Sequence, residues 1–332
     1  MEFKSFKIKS KKPKYKQIVA FIEEAISIGD LKKDDKLPSL NEIKNKYGLS
    51  RDTVLTAFNE LKNRGIIKSI AGKGYYVFSE DTKTSQKVFL LFDELNSFKE
   101  DLYNSFLAQL DENVQVDIFF HHFNPIIFEK LIAENVGNYS SYVIMPANLK
   151  NVSPILETLP ENKVFILDQL KPALNKYAAV YQNFEDTIFN GLLEANNLIK
   201  NYAKMVLIFN EKIQPIEMLF GFEKFCKKEN MLFEVVSNIE NREVGKGEIY
   251  LIPEDKNLIR IIKKMNEVGL NLKEDVGIIS INDTMLKEVV KNGITTISTD
   301  FKKMGENLAT LISRKEFSQI ENPSKLIIRN SL

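Results

Sequence analysis

Three scarcities narrow what this chain can be. Its 332 residues hold one cysteine, Cys226, and two histidines, His121 and His122. One cysteine forbids an intrachain disulfide and fits a reducing cytosol. With no Cys/His cluster there is no zinc-site signature, and few groups remain for nucleophilic or acid–base catalysis. No apolar run approaches the roughly 20 residues that cross a bilayer. The lysine-rich start lacks the apolar core and small-residue cleavage site of a secretory signal. No Gly-x-Gly-x-x-Gly follows a predicted strand and there is no P-loop, so the usual nucleotide cradles are missing. These absences lead us to expect a cytoplasmic protein with no cofactor and no metal, and not an enzyme.

What is present is unevenly spread. Formal charge over the whole chain is +1, yet residues 1–84 carry 18 Lys and Arg against 11 Asp and Glu, a surplus of seven. The remainder is therefore six negative. Cations concentrated at one end of a chain suit a polyanion, where counterion release supplies most non-specific affinity. The first residues, KSFKIKSKKPKYK, read equally as a solvated tail or as an arm that tracks DNA.

Residues 37–77 carry the densest signal. Ser39 with Glu42 has capping-box spacing and opens a short helix. Ile43 and Tyr47 face inward, Gly48 closes that helix left-handed, and Leu49 fills the turn. Ser50 caps a second helix, 51–64, whose Val54, Leu55, Phe58 and Leu61 form one buried stripe. Its other face offers Arg51, Asp52, Thr53, Thr56 and Asn59. Gly65 stops it. Two short strands, 66–70 and 75–78, then flank Ala71-Gly72-Lys73-Gly74, a tight tip with a cation at its end. A preceding helix is expected over 15–28, with Ile18, Val19, Ile22, Ala25 and Ile26 on one face. The order is that of a winged helix-turn-helix, whose second helix enters the major groove by its N-terminal end.

This segment resembles the DNA-binding domain of the GntR family of bacterial transcription regulators. The matching residues are Leu37-Pro38-Ser39, Ser50-Arg51-Asp52-Thr53-Val54, Ala57, Leu61, Gly65-Ile66-Ile67 and Gly72-Lys73-Gly74-Tyr75-Tyr76-Val77. The resemblance implies contacts to double-stranded operator DNA from Ser39, Asn41, Ser50, Arg51, Asp52, Thr53, Thr56, Lys73 and Tyr75. Leu40 and Asn41 stand where the family usually has Glu-Arg, so a DNA-touching cation is replaced and a different operator sequence is implied.

Residues 79–86 are polar, lack apolar periodicity and read as a linker. From Lys87 on, β-branched and aromatic runs alternate with amphipathic stretches. Strands are expected at 88–92, 115–120, 141–145, 163–167, 204–209, 233–236, 248–252 and 276–280. Helices are expected between them, near 99–110, 126–135 and 152–159. Continuous apolar strands separated by helices mean parallel sheets covered on both faces. Two runs of the pattern suggest two lobes and a cleft. The expected organisation is a winged helix-turn-helix at 1–78, mainly helical α+β, a linker at 79–86, and a bilobed α/β domain with two parallel sheets at 87–332 for effector binding and dimerisation.

The second half is similar to the effector domain of LacI-type regulators and the related periplasmic sugar-binding proteins. The carrying stretches are 249–255, 265–270, 274–280 with Asn282-Asp283, 294–297, Met304-Gly305 with Ala309, and the closing strand within 323–332. A GntR-type reader ahead of a LacI-type sensor resembles the arabinose-repressor subgroup. Residues 117–125 and 181–183 are also similar to Bacteroidetes regulators of fucose operons. The resemblance implies a small sugar as effector, a homodimer, and control of carbohydrate-utilisation genes. Many LacI-type sensors have an arginine three residues before the Gly-aromatic pair, here Gly221-Phe222. Met218 stands there, which points to a less polar ligand such as a deoxysugar.

Sugar sites need aromatic faces and planar hydrogen-bonding groups beyond strand ends. That rule selects Asp93, Asn96, Phe98, Lys99, His121, His122, Asn148, Asp168 and Gln169. The resemblance adds Gln182 and Asn183, in the stretch where the family often places a cleft-facing Asp, and Asp255, Asn282 and Asp283, where family members put ligand-binding carboxylates. The two histidines are neighbours on a strand and point to opposite faces, so at most one faces a cleft. Two other readings stay open: a sugar- or nucleotide-acting enzyme with a DNA-targeting module, and a regulator whose second domain only dimerises.

Overall fold

The computed structural model describes residues 13–332; residues 1–12, and with them most of the lysine-rich arm, lie outside the described residues. The head begins with helix α1, Lys14–Ser27, which buries Ile18, Val19, Ile22, Ala25 and Ile26. Helix α2, Leu40–Tyr47, has the full capping box at Ser39 and Glu42 and ends on left-handed Gly48. Helix α3, Arg51–Asn63, starts from Ser50, whose hydroxyl accepts the Thr53 amide. Strands β1, Ile67–Ile70, and β2, Gly74–Val77, form the antiparallel wing. Lys36 bridges to Tyr76 as a third short rung. The apolar faces of all three helices and the wing meet in one core around Ile22, Val54, Phe58 and Leu61.

The rest of the chain forms two six-stranded sheets. The first lobe takes β3 (Gln86–Phe92), α4 (Ser97–Ala108), β4 (Val114–Phe120), α5 (Pro125–Asn135), β5 (Ser141–Ile144), α6 (Val152–Leu156), β6 (Val164–Asp168) and β7 (Ala178–Tyr181). The chain then crosses to the second lobe for α7 (Phe184–Glu194), α8 (Asn196–Ile199), β8 (Lys204–Ile208), α9 (Ile216–Lys228), β9 (Leu232–Val236), β10 (Glu248–Ile252), α10 (Asp255–Glu267), β11 (Val276–Ile281), α11 (Met285–Val289) and β12 (Thr295–Thr299). It returns for α12 (Phe301–Arg314) and β13 (Gln319–Glu321), which join the first lobe, and crosses again to β14 (Ser324–Ile327) in the second.

Two sequence-based expectations need correcting here. The lobes are not two consecutive runs, because α12 packs on α4 and β13 extends the β7 edge of the first sheet. The sheets are parallel except at one place: β14 runs antiparallel to β12. An antiparallel edge strand on a parallel sheet needs no crossover helix, so a short final segment can close the fold.

Each sheet is covered on both faces, which is why its inner strands are buried almost throughout, while the edge strands β4, β9, β13 and β14 keep exposed or half-exposed positions. Val88, Leu90 and Phe92 face α4 and α12, whereas Phe89 and Leu91 face the α5 and α6 side. The second sheet divides the same way, with Met205 and Leu207 toward α7 and α9 and Val206 and Ile208 toward α10. Helix pairs come unusually close at two glycines. A Cβ on Gly305 of α12 would lie 2.4 Å from the Leu102 carbonyl of α4, and one on Gly221 of α9 2.3 Å from the Glu185 carbonyl of α7.

Candidate DNA interface and effector cleft

In the head, Arg51 and Asp52 are exposed at the start of α3, and Thr53 is half-buried, its amide and hydroxyl both engaged with Ser50. Ser50 is therefore a helix cap before it is a DNA contact. Lys73 is exposed at the wing tip between Gly72 and Gly74, both with positive φ. Ser39, Lys73, Lys36 and Lys46 line one groove of about 1060 Å³ between α2 and the wing. Three lysines round one groove suit a phosphate backbone. Lys36 and Lys46 were not among the residues selected from sequence; their signal was only the general basic surplus. Asn41 is exposed on α2. Tyr75 sets its ring edge-on to Phe58 at 4.8 Å, so the ring serves the head's core. Thr56 donates its hydroxyl to the Asp52 carbonyl at 2.8 Å. It lines a different space, a cavity of about 770 Å³ between α3 and the first lobe, together with Asn59, Arg64 and Lys163.

The junction between head and sensor is built, not slack. Arg64 donates to the carbonyls of Thr84 at 2.8 Å and Thr82 at 3.0 Å and pairs with Glu23 of α1. Lys87 is buried. Its amine sits 2.9 Å from Asp117 and lies over the rings of Phe78 and Tyr139. Its stem runs against Gly65, where a Cβ would come within 2.8 Å.

In the sensor, the strand ends of the two lobes face each other across the three crossings. The crossings are laced together. Asn322 donates its amide to Tyr181 and its side chain to the Asp300 carbonyl, at 2.7 and 2.8 Å. Thr299 donates its hydroxyl to the Gln182 side chain, which in turn donates to Asp168 at 2.5 Å. Asn148 reaches from the first lobe to the carbonyls of Glu211 (3.1 Å) and Gln214 (2.5 Å) in the second. Gln214 continues to Glu254 at 3.0 Å.

These bonds bring Asp168, Gln182 and Asn148 to the line where the lobes meet. Asp93 and Lys99 form a buried ion pair close by. Asp168 is buried with its φ at 76°. Burial, with the neighbouring Asp93 charge, pushes its carboxyl up to about 6, against the pull of Lys99 and Gln182. Gln169 is buried beside it. Asp255 pairs with the buried Lys287 at 3.0 Å, and Lys287 also donates to the carbonyls of Ile281 and Asn282. Burial holds the Lys287 amine below the usual lysine range.

Other selected residues have local duties. Asn96 caps α4 and Asn183 caps α7. Phe98 packs on Phe301 at 4.7 Å. Asp283 is held bidentately by Arg329 at 2.6 and 2.7 Å. His121 is fully buried, its Nε2 bonded to the Met145 carbonyl at 3.0 Å and its pKa lowered by burial, while His122 is exposed. Gln214, Thr299 and Asn322 join the lobes without having been selected, and Glu254 holds Gln214 from within the second lobe. Each stands within a few residues of a strand's C-terminal end, the same signal that selected Asp168 and Asn148. Among the described residues no group of three or more His, Cys, Asp or Glu is placed to hold a metal ion, and no helix is long and apolar enough to cross a membrane.

Comparison with known proteins agrees with this geometry. The family model for bacterial regulatory proteins of the gntR family matches residues 14–77, the head as described. The transcriptional repressor YtrA of Bacillus subtilis (strain 168) is 35% identical over 94 residues, covering 28% of this chain and 68% of that protein. The chain belongs to the gntR family. This regulator is similar over nearly its whole length to the arabinose metabolism transcriptional repressor of Geobacillus stearothermophilus, at 24% identity over 96% of this chain and 97% of that one. The structure of a LacI family transcriptional regulator from Silicibacter pomeroyi aligns with a TM-score of 0.62 and 16% identity, covering 74% of the regulator and 98% of that chain. The regulator is thus a DNA-binding transcription factor with a LacI-like, two-lobed second domain.

Proposed function

We propose that the regulator controls carbohydrate-utilisation genes, binding operator DNA as a cytoplasmic homodimer and a small sugar in the cleft of its second domain. The observation that carries this reading is the polar contact chain across the lobes, from Asn148 to Gln214 and from Asp168 through Gln182 to Thr299. A ligand that exchanges into such contacts bridges both lobes and favours the closed state. The whole-length likeness to an arabinose repressor supports a sugar. Exposed Met285, Leu286 and Val289 on α11 offer an apolar patch to a second copy. Two heads held by one dimer would read two half-sites. Cys226 is buried in the second lobe's core, where burial pushes its thiol up to about 12, so it offers the cleft no nucleophile.

The test is fluorescence anisotropy with a labelled fragment of the regulator's own upstream DNA, titrated with and without each member of a monosaccharide panel. One sugar should shift the operator affinity, and by linkage the operator should shift the affinity for that sugar equally. Operator binding that no sugar moves would leave the second domain as a dimerisation unit. Consumption of a bound sugar would make it an enzyme.

A further inference from the structure

We infer that the effector is an uncharged sugar, and that the cleft excludes sugar phosphates and sugar acids; the inference rests on the sugar-binding reading above. Its basis is how the charges at the strand ends are committed. Lys99 is taken by Asp93, Lys287 by Asp255, and Arg329 by both oxygens of Asp283. Lys171, on the first-lobe side, donates its amine to the Leu149 carbonyl at 3.1 Å and faces Glu217. To receive a phosphate or carboxylate, Lys99, Lys287 or Arg329 would have to leave its carboxylate uncompensated, and Lys171 would have to leave the Leu149 carbonyl.

The carboxylates are not matched in return. Asp168 and Glu254 have no cation at ion-pair distance among the described residues. Each is held instead by amide groups, Asp168 by Gln182 at 2.5 Å and Glu254 by Gln214 at 3.0 Å and Asn257 at 3.4 Å. One belongs to the first lobe and the other to the second. An ionised carboxylate only accepts hydrogen bonds. The partner it lacks is a donor, and the hydroxyls of a neutral sugar are donors. An anionic group brought up to either carboxylate would meet like charge with no cation paired to it. Glu254 becomes, with Asp168, a specificity-determining residue of the cleft.

Isothermal titration calorimetry on the full chain at pH 7.5 tests this with matched probes: arabinose, fucose, galactose and glucose, then glucose 6-phosphate, galacturonate and glucosamine. At least one neutral sugar should bind, and the anionic probes should bind 100-fold more weakly or not at all. Asp168→Asn should narrow that ratio at least tenfold, by weakening the neutral sugar and admitting the anion, a change that a merely structural role would not produce. An anionic probe that binds as tightly as every neutral one overturns the inference and leaves the sugar reading intact. Glucosamine binding better than every neutral sugar also overturns it, since the pair would then be a cation site. No binding by any probe, with operator binding retained, overturns the sugar reading and this inference with it.

Discussion

In the head, Arg51, Asp52 and Lys73 stand exposed on a small rigid core, each with its charged end in water. In the sensor, Asp93 pairs with Lys99, and Asp168, Gln182 and Thr299 form a chain, all buried and bonded before any ligand arrives. The two regions meet their partners by different physics. The head offers ready-made groups to a regular lattice of phosphates, and each contact adds to affinity almost independently. The sensor must trade existing bonds for new ones, so affinity there is a difference between two networks, and loss of one group disturbs several. The head is thereby suited to constant recognition and the sensor to a response.

That contrast makes ordered predictions. The largest effect should come from Gly305→Val in the sensor, where the added carbons strike the α4 backbone. It should cost on the order of 4 kcal/mol. Differential scanning calorimetry should show the sensor's transition displaced downward while that of the head, with its separate core, stays; a single unmoved transition would refute the close packing. Next is Asp168→Asn. The folded carboxyl at about 6 lies above its unfolded value near 3.9. The folded state therefore holds the extra proton, and wild type loses stability as pH rises from about 4 to about 6. Above that window the variant should be more stable than ligand-free wild type, by up to about 3 kcal/mol. Urea unfolding at pH 4 and pH 8 should show the advantage only at pH 8, and equal differences at both would refute the assignment. Arg51→Ala should weaken operator binding by about 2 kcal/mol while leaving effector-induced stabilisation unchanged. Unaltered operator affinity in anisotropy would remove Arg51 from the interface. The smallest effect is Lys73→Ala, a uniform loss across DNA sequences with the slope of log affinity against log salt reduced by about 1.

Much of the head was readable because its signals are local. Ser39 with Glu42, Ser50, Gly48 and Gly65 each fix a helix end through their own chemistry, and the structure keeps all four. Strand 248–252 was likewise visible through its apolar run 249–252. The short strands β7 and β13 were not, since three or four residues carry no period that separates them from a loop. Neither was the return of α12 to the first lobe: its apolar face, with Met304, Leu308 and Leu311, says that it is buried, not against which sheet. The cleft was partly legible. Asp168 and Asn148, chosen by strand-end position, and Gln182, implied by the resemblance, lie where the lobes meet. Neither signal could distinguish them from Asn96 and Asn183, which are equally polar but cap α4 and α7. Nor could either show that Asp283 is already held by Arg329, 46 residues later.

The fit of Lys87 against Gly65 bears on how such proteins are assembled from parts. Residue 65 belongs to the DNA-reading module and residue 87 to the sensing one, yet a side chain at 65 would strike the lysine stem, and Phe78 of the same module covers the lysine's charge. A head grafted from another regulator would seat here only if it brought both the bare backbone and the aromatic cover. A working chimera would have to carry its boundary past Lys87 instead of cutting within the polar stretch before it.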